Sequence, residues 1–139
     1  MSTTRILLVE DDPLLRELVE MVLEVEGYSV ACADNGAAGL EQAERDAFHL
    51  VILDLLMPVM DGMRFLEEFR RSAERRPPVL VLSASTTPDM TDRALRAGAA
   101  AVARKPIDQE ELLGLVRSLL EREQSEAGTG NAGKSNGGA

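Results

Sequence analysis

Five short apolar runs, each about the length of a β-strand, recur along the 139-residue chain. They are rich in Val, Ile and Leu, and they read RILLV from Arg5, YSVAC from Tyr28, LVIL from Leu50, PVLVL from Pro78 and AAVA from Ala100. The segments between them carry apolar residues at helical spacing, as in residues 15–22, and such a face can cover a sheet. The pattern therefore predicts strands that alternate with helices.

The residues at the predicted helix ends agree with this pattern. Asp12 and Pro13 place an N-cap before a first-turn proline, and Gly27 is a suitable stop for the same helix. Further helices are predicted at about residues 36–46, 62–74, 88–97 and 108–123. Five strands and five helices in alternation predict an α/β fold, in which a doubly wound parallel sheet is covered on both faces.

Composition and charge narrow the classes of function. Hydrophobic residues at 45% and charged residues at 28% are typical of one globular domain, and no apolar run approaches the ~20 residues of a membrane span. The formal net charge of −9 disfavours direct binding to nucleic acid. The single cysteine, Cys32, excludes an internal disulfide, and Thr4 and Arg5 lead directly into the first apolar run without a signal-peptide pattern. We therefore expect a cytoplasmic protein with no membrane partner.

The composition changes after Glu123 to mostly Gly, Ala, Ser and Asn. We predict a domain at residues 1–123 and a flexible tail or truncated linker at residues 124–139. Residues 128–135 fit the nucleotide-binding pattern G-x-x-x-x-G-K-[ST]. A working phosphate loop needs a buried strand before it and a helix after it, whereas here a charged helix precedes and the chain soon ends. The match is therefore interpreted as a chance occurrence.

Polar side chains follow four of the predicted strands at the carboxyl edge of the sheet, where open α/β sheets bind ligands. They are Glu10, Asp11 and Asp12 after the first strand, Asp54 after the third, Ser83 after the fourth and Lys105 after the fifth. Each of them alone is more simply explained as a polar cap, a surface charge or a turn residue. Their occurrence on four strands of one predicted sheet favours a functional site.

Carboxylates that converge on one crevice repel each other and stay ionised when a cation joins them. Mg²⁺ suits such a site because it prefers one or two carboxylates and keeps open positions for other oxygens. Asp11 and Asp54 are the expected direct ligands, Glu10 is long enough to act through water, and the Leu56 carbonyl can complete the set. Asp12 is better explained as the helix cap.

A carboxylate beside Mg²⁺ can attack a phosphorus atom, because the metal offsets the negative charge on both reactants. Asp54 is the candidate for this role. The Lys105 ammonium and the Ser83 hydroxyl can then bind the other phosphoryl oxygens.

The motifs LLVEDDP, VILDLLMPVMDG, VLSAS and ARKPI resemble those of the receiver domain of two-component response regulators, from Arg5 to about Glu123. The resemblance implies a flavodoxin-like, CheY-like sheet with strand order 2-1-3-4-5. It also implies that Asp54 takes a phosphoryl group from a histidine kinase and that Glu10 and Asp11 serve Mg²⁺. In such domains a switch residue corresponds to Ser83, and a lysine that precedes a cis proline corresponds to Lys105.

The resemblance further implies a signalling phosphoacceptor, with at most weak self-catalysed phosphotransfer and dephosphorylation, rather than an enzyme. The expected partners are a sensor histidine kinase or phosphotransfer protein, and a downstream protein effector or a fused output domain absent from this chain. One departure concerns Val102, which stands where the family usually carries an aromatic switch residue.

Two other functions remain open. An aspartyl-phosphate phosphatase on a similar sheet usually has an acidic residue two positions after the nucleophile, where this chain has Leu56. A binding module that kept the fold and lost the chemistry is disfavoured by the complete acidic set.

Overall fold

The computed structural model describes residues 3–55, 61–72, 76–84 and 87–129. Strands and helices alternate along this part of the chain: β1 (Arg5–Val9), α1 (Pro13–Val25), β2 (Ser29–Ala33), α2 (Gly36–Arg45), β3 (Leu50–Asp54), α3 (Gly62–Ser72), β4 (Val79–Ser83), α4 (Pro88–Arg96), β5 (Ala101–Arg104) and α5 (Gln109–Thr129). The predicted strands are confirmed to within one residue at each end, and the predicted α/β alternation is confirmed throughout.

All five strands are parallel and lie in the order β2-β1-β3-β4-β5, as the resemblance implied. β1 pairs with both β2 and β3, so that Val9 is beside Ala33 on one side and Leu53 on the other. The central strands β3 and β4 are buried along their whole length, which explains their near-continuous apolar sequences.

Alternate residues of the strands enter two separate apolar layers. Ile6 and Leu8 of β1 face the layer formed with α1 and α5, whereas Leu7 and Val9 face the layer formed with helices on the other side of the sheet. Because successive side chains of a strand point to opposite faces, a strand of apolar residues can supply both layers. The sheet thus lies between two apolar layers, and its carboxyl edge carries the polar side chains.

Helix α1 begins and ends with the capping groups that the sequence predicted. The Asp12 side chain accepts hydrogen bonds from the backbone N–H groups of Leu14 and Leu15 at 3.0 and 3.3 Å. At the other end Gly27 has a φ of 97°, and its N–H donates to the carbonyl of Glu24 while the next N–H reaches back to Leu23. This pair of bonds is a Schellman motif, which stops the helix before β2.

Helix α5 differs from the prediction, because it continues to Thr129 rather than ending near Glu123. The residues between these positions are helical, although their composition predicts a tail. Gly128 and Thr129, the first residues of the P-loop-like match, therefore belong to a helix, whereas a phosphate loop follows a strand. The remaining residues of the match lie outside the described part of the chain. None of the described helices has the length and apolarity to cross a bilayer.

Candidate functional site

The polar residues predicted at the strand ends meet at the carboxyl edge of the sheet. Oxygen atoms from Glu10, Asp11 and Asp54 all lie within 4.8 Å of one another. Glu10, Asp54 and Ser83 are 3%, 6% and 0% exposed, and they are the buried polar residues of the described chain. Polar groups this well buried are costly unless they are paired, so their convergence indicates a functional site.

Lys105 connects two of these carboxylates. Its Nζ lies 3.0 Å from Oε1 of Glu10 and 3.4 Å from Oδ2 of Asp54. Burial disfavours the ammonium, but the hydrogen bond that it donates to Glu10 and the charge of Asp54 outweigh this effect and raise the pKa of Lys105. The lysine is therefore a fixed positive charge beside Asp54.

The Glu10 carboxylate is held by both of its oxygens. Oε1 contacts Lys105, and Oε2 accepts a 3.1 Å hydrogen bond from the backbone N–H of Asp12. Burial raises the pKa of Glu10, and the bonds from Lys105 and Asp12 offset that effect only in part. Glu10 is thus already engaged within the protein, which suits an indirect role better than direct metal ligation.

Asp11 is the least buried of the three acids, and its carboxylate makes no hydrogen bond or ion pair within the described residues. Its oxygens are available to a ligand from solution. Asp12 is the helix cap, as the sequence predicted, and its side chain is directed to α1. The Leu56 carbonyl, the other predicted metal ligand, lies outside the described residues.

Ser83 and Lys105 are joined through the backbone. The N–H of Lys105 donates to the carbonyl of Ser83 at 2.8 Å, which ties the end of β4 to the residue after β5. The Lys105–Pro106 peptide bond is cis, as expected. Val102 is partly buried and packs on the core layer beside α3 and α4.

The structure shows two further residues that contact the backbone of the site. A Cβ atom on Gly62 would lie 2.5 Å from Cα of Leu55 and 2.7 Å from the carbonyl oxygen of Asp54, so only glycine fits there. Arg16 donates from Nη1 to the carbonyl oxygen of Glu10 at 2.8 Å. In the sequence, Gly62 is only the last residue of the motif VILDLLMPVMDG and the start of a predicted helix, and nothing singles out Arg16 beyond its place early in α1.

Comparison with known proteins shows the family to which the chain belongs. Residues 6–117 match the family model of the response regulator receiver domain. A CheY-like receiver domain protein from Methanospirillum hungatei JF-1 is similar in structure, with a TM-score of 0.85 and 29% identity over 90% of this chain and 99% of that one. The receiver domain of a sensor histidine kinase from Pseudomonas aeruginosa PAO1 is also similar, with a TM-score of 0.79 and 29% identity over 86% of this chain and 99% of that one. That structure has a magnesium ion coordinated in its active-site cleft.

Among curated proteins, the response regulator MprA of Mycobacterium leprae is 38% identical over 118 residues, which cover 85% of this chain and 51% of MprA. The chain spans about half the length of several curated relatives that it matches. It belongs to the response regulator receiver domain family of two-component systems.

Proposed function

We propose that this chain is a phosphorylation-activated signalling switch of a two-component phosphorelay, in which Asp54 accepts a phosphoryl group from a histidine kinase. The observation that carries the proposal is the buried Asp54 carboxylate, 3.4 Å from the Lys105 ammonium and clustered with Glu10 and Asp11 at one edge of the sheet. A nucleophile, a cation that stabilises charge and an acidic metal site are the groups that this reaction requires.

The donor set fits Mg²⁺. Three carboxylates meet one ammonium, so two negative charges remain uncompensated, and all the donors are hard oxygen atoms. Asp11 and Asp54 would hold the ion directly and Glu10 would support them, while the proposed Leu56 carbonyl ligand lies outside the described residues. When bound, Mg²⁺ would supply positive charge that lowers the repulsion between the carboxylate nucleophile and the phosphoryl group.

The chain's own residues supply the nucleophile and the groups that bind the phosphoryl oxygens. An Asp54 carboxylate oxygen forms a bond to phosphorus, while the bond from phosphorus to the imidazole nitrogen of the kinase breaks and its electron pair returns to that nitrogen. The Lys105 ammonium, already beside Asp54, binds one phosphoryl oxygen, and the Ser83 hydroxyl donates a hydrogen bond to another. Movement of Ser83 towards the phosphoryl group then changes the partner-binding surface near the start of α4.

The docking stripe, which we define as Leu14, Leu18, Met21 and Val25 of α1, supports the partner in this proposal. These side chains are 77%, 53%, 55% and 78% exposed, and their spacing places them on one face of the helix. The stripe begins two residues after Asp12, at the edge of the acidic site. An exposed apolar surface of this kind marks an interaction site.

The charges beside the docking stripe indicate the chemistry of its occupant. Glu17 and Glu24 are exposed and border the stripe along one side of α1. A second copy of this chain would bring like carboxylates together in a molecule of net charge −9. We therefore assign the stripe to an amphipathic helix of the phosphodonor, with apolar residues along its centre and Lys or Arg at its border.

The effector is proposed to be a downstream protein or an output domain fused after the receiver. The chain covers only part of the curated relatives, several of which are named transcriptional regulators. Any contact with nucleic acid is proposed to belong to such an output domain, because the receiver itself is strongly acidic.

The proposal is tested by intact-mass spectrometry after incubation with acetyl phosphate, with and without Mg²⁺. The wild type should gain one phosphoryl mass in the presence of Mg²⁺, and Asp54→Asn should gain none. Unmodified wild-type protein under these conditions would refute the proposal. Turnover of many donor molecules per site would support the aspartyl-phosphate phosphatase instead.

A further inference from the structure

Arg16 reaches back from the first turns of α1 to the end of β1. Its Nη1 donates a 2.8 Å hydrogen bond to the carbonyl oxygen of Glu10 in partly buried surroundings. The paired register of β1 with both of its neighbours ends at Val9, so this carbonyl lies beyond the regular strand pairing. The guanidinium gives it a partner that the sheet does not supply.

The carbonyl that Arg16 holds belongs to the peptide unit leading into Asp11. Because a peptide unit is planar, fixing the C=O of Glu10 also fixes the N–H of Asp11 and the direction in which the chain enters that residue. On the other side of Asp11, the N–H of Asp12 donates to Oε2 of Glu10 at 3.1 Å. The backbone of Asp11 is therefore held from both sides.

This support matters most for Asp11. Glu10 and Asp54 are located by their contacts with Lys105, but the Asp11 carboxylate makes no such contact within the described residues. The position of its oxygens therefore depends on the backbone from which they project. A small rotation of that backbone would move Asp11 away from the other two acids.

We propose that Arg16 is a positioning residue for the cation site, acting through the Glu10 carbonyl to place Asp11 and so to increase the affinity for Mg²⁺. The inference rests on the proposed function, because it takes Asp11 as a ligand of that ion. The positive charge of Arg16 acts in the opposite direction, because it repels Mg²⁺, so removal of the charge alone would raise the affinity rather than lower it.

The central measurement is the affinity of the full chain for Mg²⁺, obtained by calorimetry, in the wild type and in Arg16→Met. Loss of an outer-shell partner typically lowers metal affinity about 10- to 100-fold, and we expect about 10-fold here. Phosphorylation by acetyl phosphate should slow at low Mg²⁺ and recover at saturating Mg²⁺. Arg45→Met is the matched control, because it removes the same charge from an exposed ion pair with Asp46 and should leave the affinity unchanged.

Three further readouts test whether Arg16 acts through its hydrogen bond. Arg16→Lys, which keeps the charge and a donor, should restore most of the affinity. Salt screens charge effects but not the loss of a hydrogen bond, so the deficit of Arg16→Met relative to the wild type should persist in high KCl. The backbone amide NMR signals of Asp11 and Asp12 in the metal-free protein should shift in Arg16→Met and remain unchanged in Arg45→Met.

The outcomes against the proposal are distinct from failure of the proposed function. If Arg16→Met binds Mg²⁺ as tightly as Arg45→Met, or if its deficit disappears in high KCl, Arg16 does not position the site. If Arg16→Met does not fold, Arg16→Gln provides the complementary test: it keeps a donor without the charge and should retain most of the affinity for Mg²⁺, and a loss of about 10-fold in this variant would contradict the proposal. A wild type that neither binds Mg²⁺ nor accepts a phosphoryl group would instead overturn the proposed function.

Discussion

Gly62 lies against the backbone that carries the proposed nucleophile. Its N–H donates to the carbonyl of Leu55 at 2.8 Å, at the point where the chain returns to begin α3. A side chain at this position would press on Leu55 and on the Asp54 carbonyl. Gly62 therefore affects the position of Asp54, because the space beside it has no room for a side chain.

Gly62→Ala should lower the free energy of unfolding by about 1 to 3 kcal/mol, because the added methyl group meets backbone that cannot move freely. Gly114→Ala is the matched control, since a Cβ there has no atom within 4 Å and the residue lies inside a helix. That change should stabilise the protein by up to about 1 kcal/mol. Urea denaturation measures both variants, and equal effects would contradict the steric argument.

Cys32 should react slowly with iodoacetamide. Burial, followed by the charge of Glu20, raises the pKa of the thiol from its ordinary value of 9.0 to about 11. Alkylation requires the thiolate, so at about pH 8 the rate should be about 100-fold below that of an unperturbed cysteine thiol. The rate should keep rising towards pH 11, and Glu20→Gln should increase it at pH 8. A rate that levels off near pH 9 would show that the pKa is not raised.

The residues of the candidate site differ in how far the sequence reveals them. Asp54 and Ser83 directly follow apolar runs, Lys105 comes two residues after one, and the carboxyl ends of parallel strands share one edge, so their meeting could be predicted. The importance of Gly62 and Arg16 could not be predicted, because each acts on backbone across a turn whose path no periodic pattern specifies.

At the scale of secondary structure, α1 combines two roles. Its first turn is capped by Asp12 in the same loop that carries Glu10 and Asp11, so the start of the helix and the acidic site form one unit. Its buried face, with Val19 and Leu23, packs on the sheet, while its outer face carries the docking stripe.

Leu18→Asp should reduce phosphotransfer from a protein donor but not from acetyl phosphate, which needs no docking surface. Loss of one apolar anchor from an interface typically costs about 1 to 2 kcal/mol, so the rate from the best donor in a panel of purified histidine kinases should fall about 10-fold. Leu95→Asp, at an exposed position on α4, is the control. Equal transfer rates for both variants would remove α1 from the interface.

Some helix ends could be predicted from the sequence and others could not. The ends of α1 were predictable because Asp12 and Gly27 carry capping chemistry. The end of α5 was not, because the residues after Glu123 have low apolar content, and helical hydrogen bonding there continues without a compositional signal.

At the scale of the whole molecule, the acidic site is a source of instability that a cation can remove. The chain has a formal net charge of −9, and three carboxylates meet at one edge with a single ammonium among them. Repulsion among these groups opposes the folded state, in which they are brought together.

Millimolar Mg²⁺ should therefore raise the unfolding midpoint. At a concentration ten times the dissociation constant the gain is about 1.4 kcal/mol, or a few degrees. Asp11→Asn should be more stable than the wild type without Mg²⁺ and should respond less to it, because the substitution removes one repelling charge and one ligand. Differential scanning calorimetry, with KCl at matched ionic strength as the control, measures both effects. A wild-type midpoint indifferent to Mg²⁺ would refute the metal site.

The strand order also has a consequence for how the molecule assembles. Three of the strand pairings join strands that follow one another in the chain, whereas the pairing of β1 with β3 skips β2. That same pairing brings the loop of Glu10 and Asp11 beside Asp54. A chain in which β1 pairs only with β2 leaves Glu10 and Asp11 apart from Asp54, so the acidic cluster forms only when β1 also pairs with β3. A cation that needs all three acids would therefore bind only molecules in which this pairing has formed, and its binding would report that the centre of the sheet is complete.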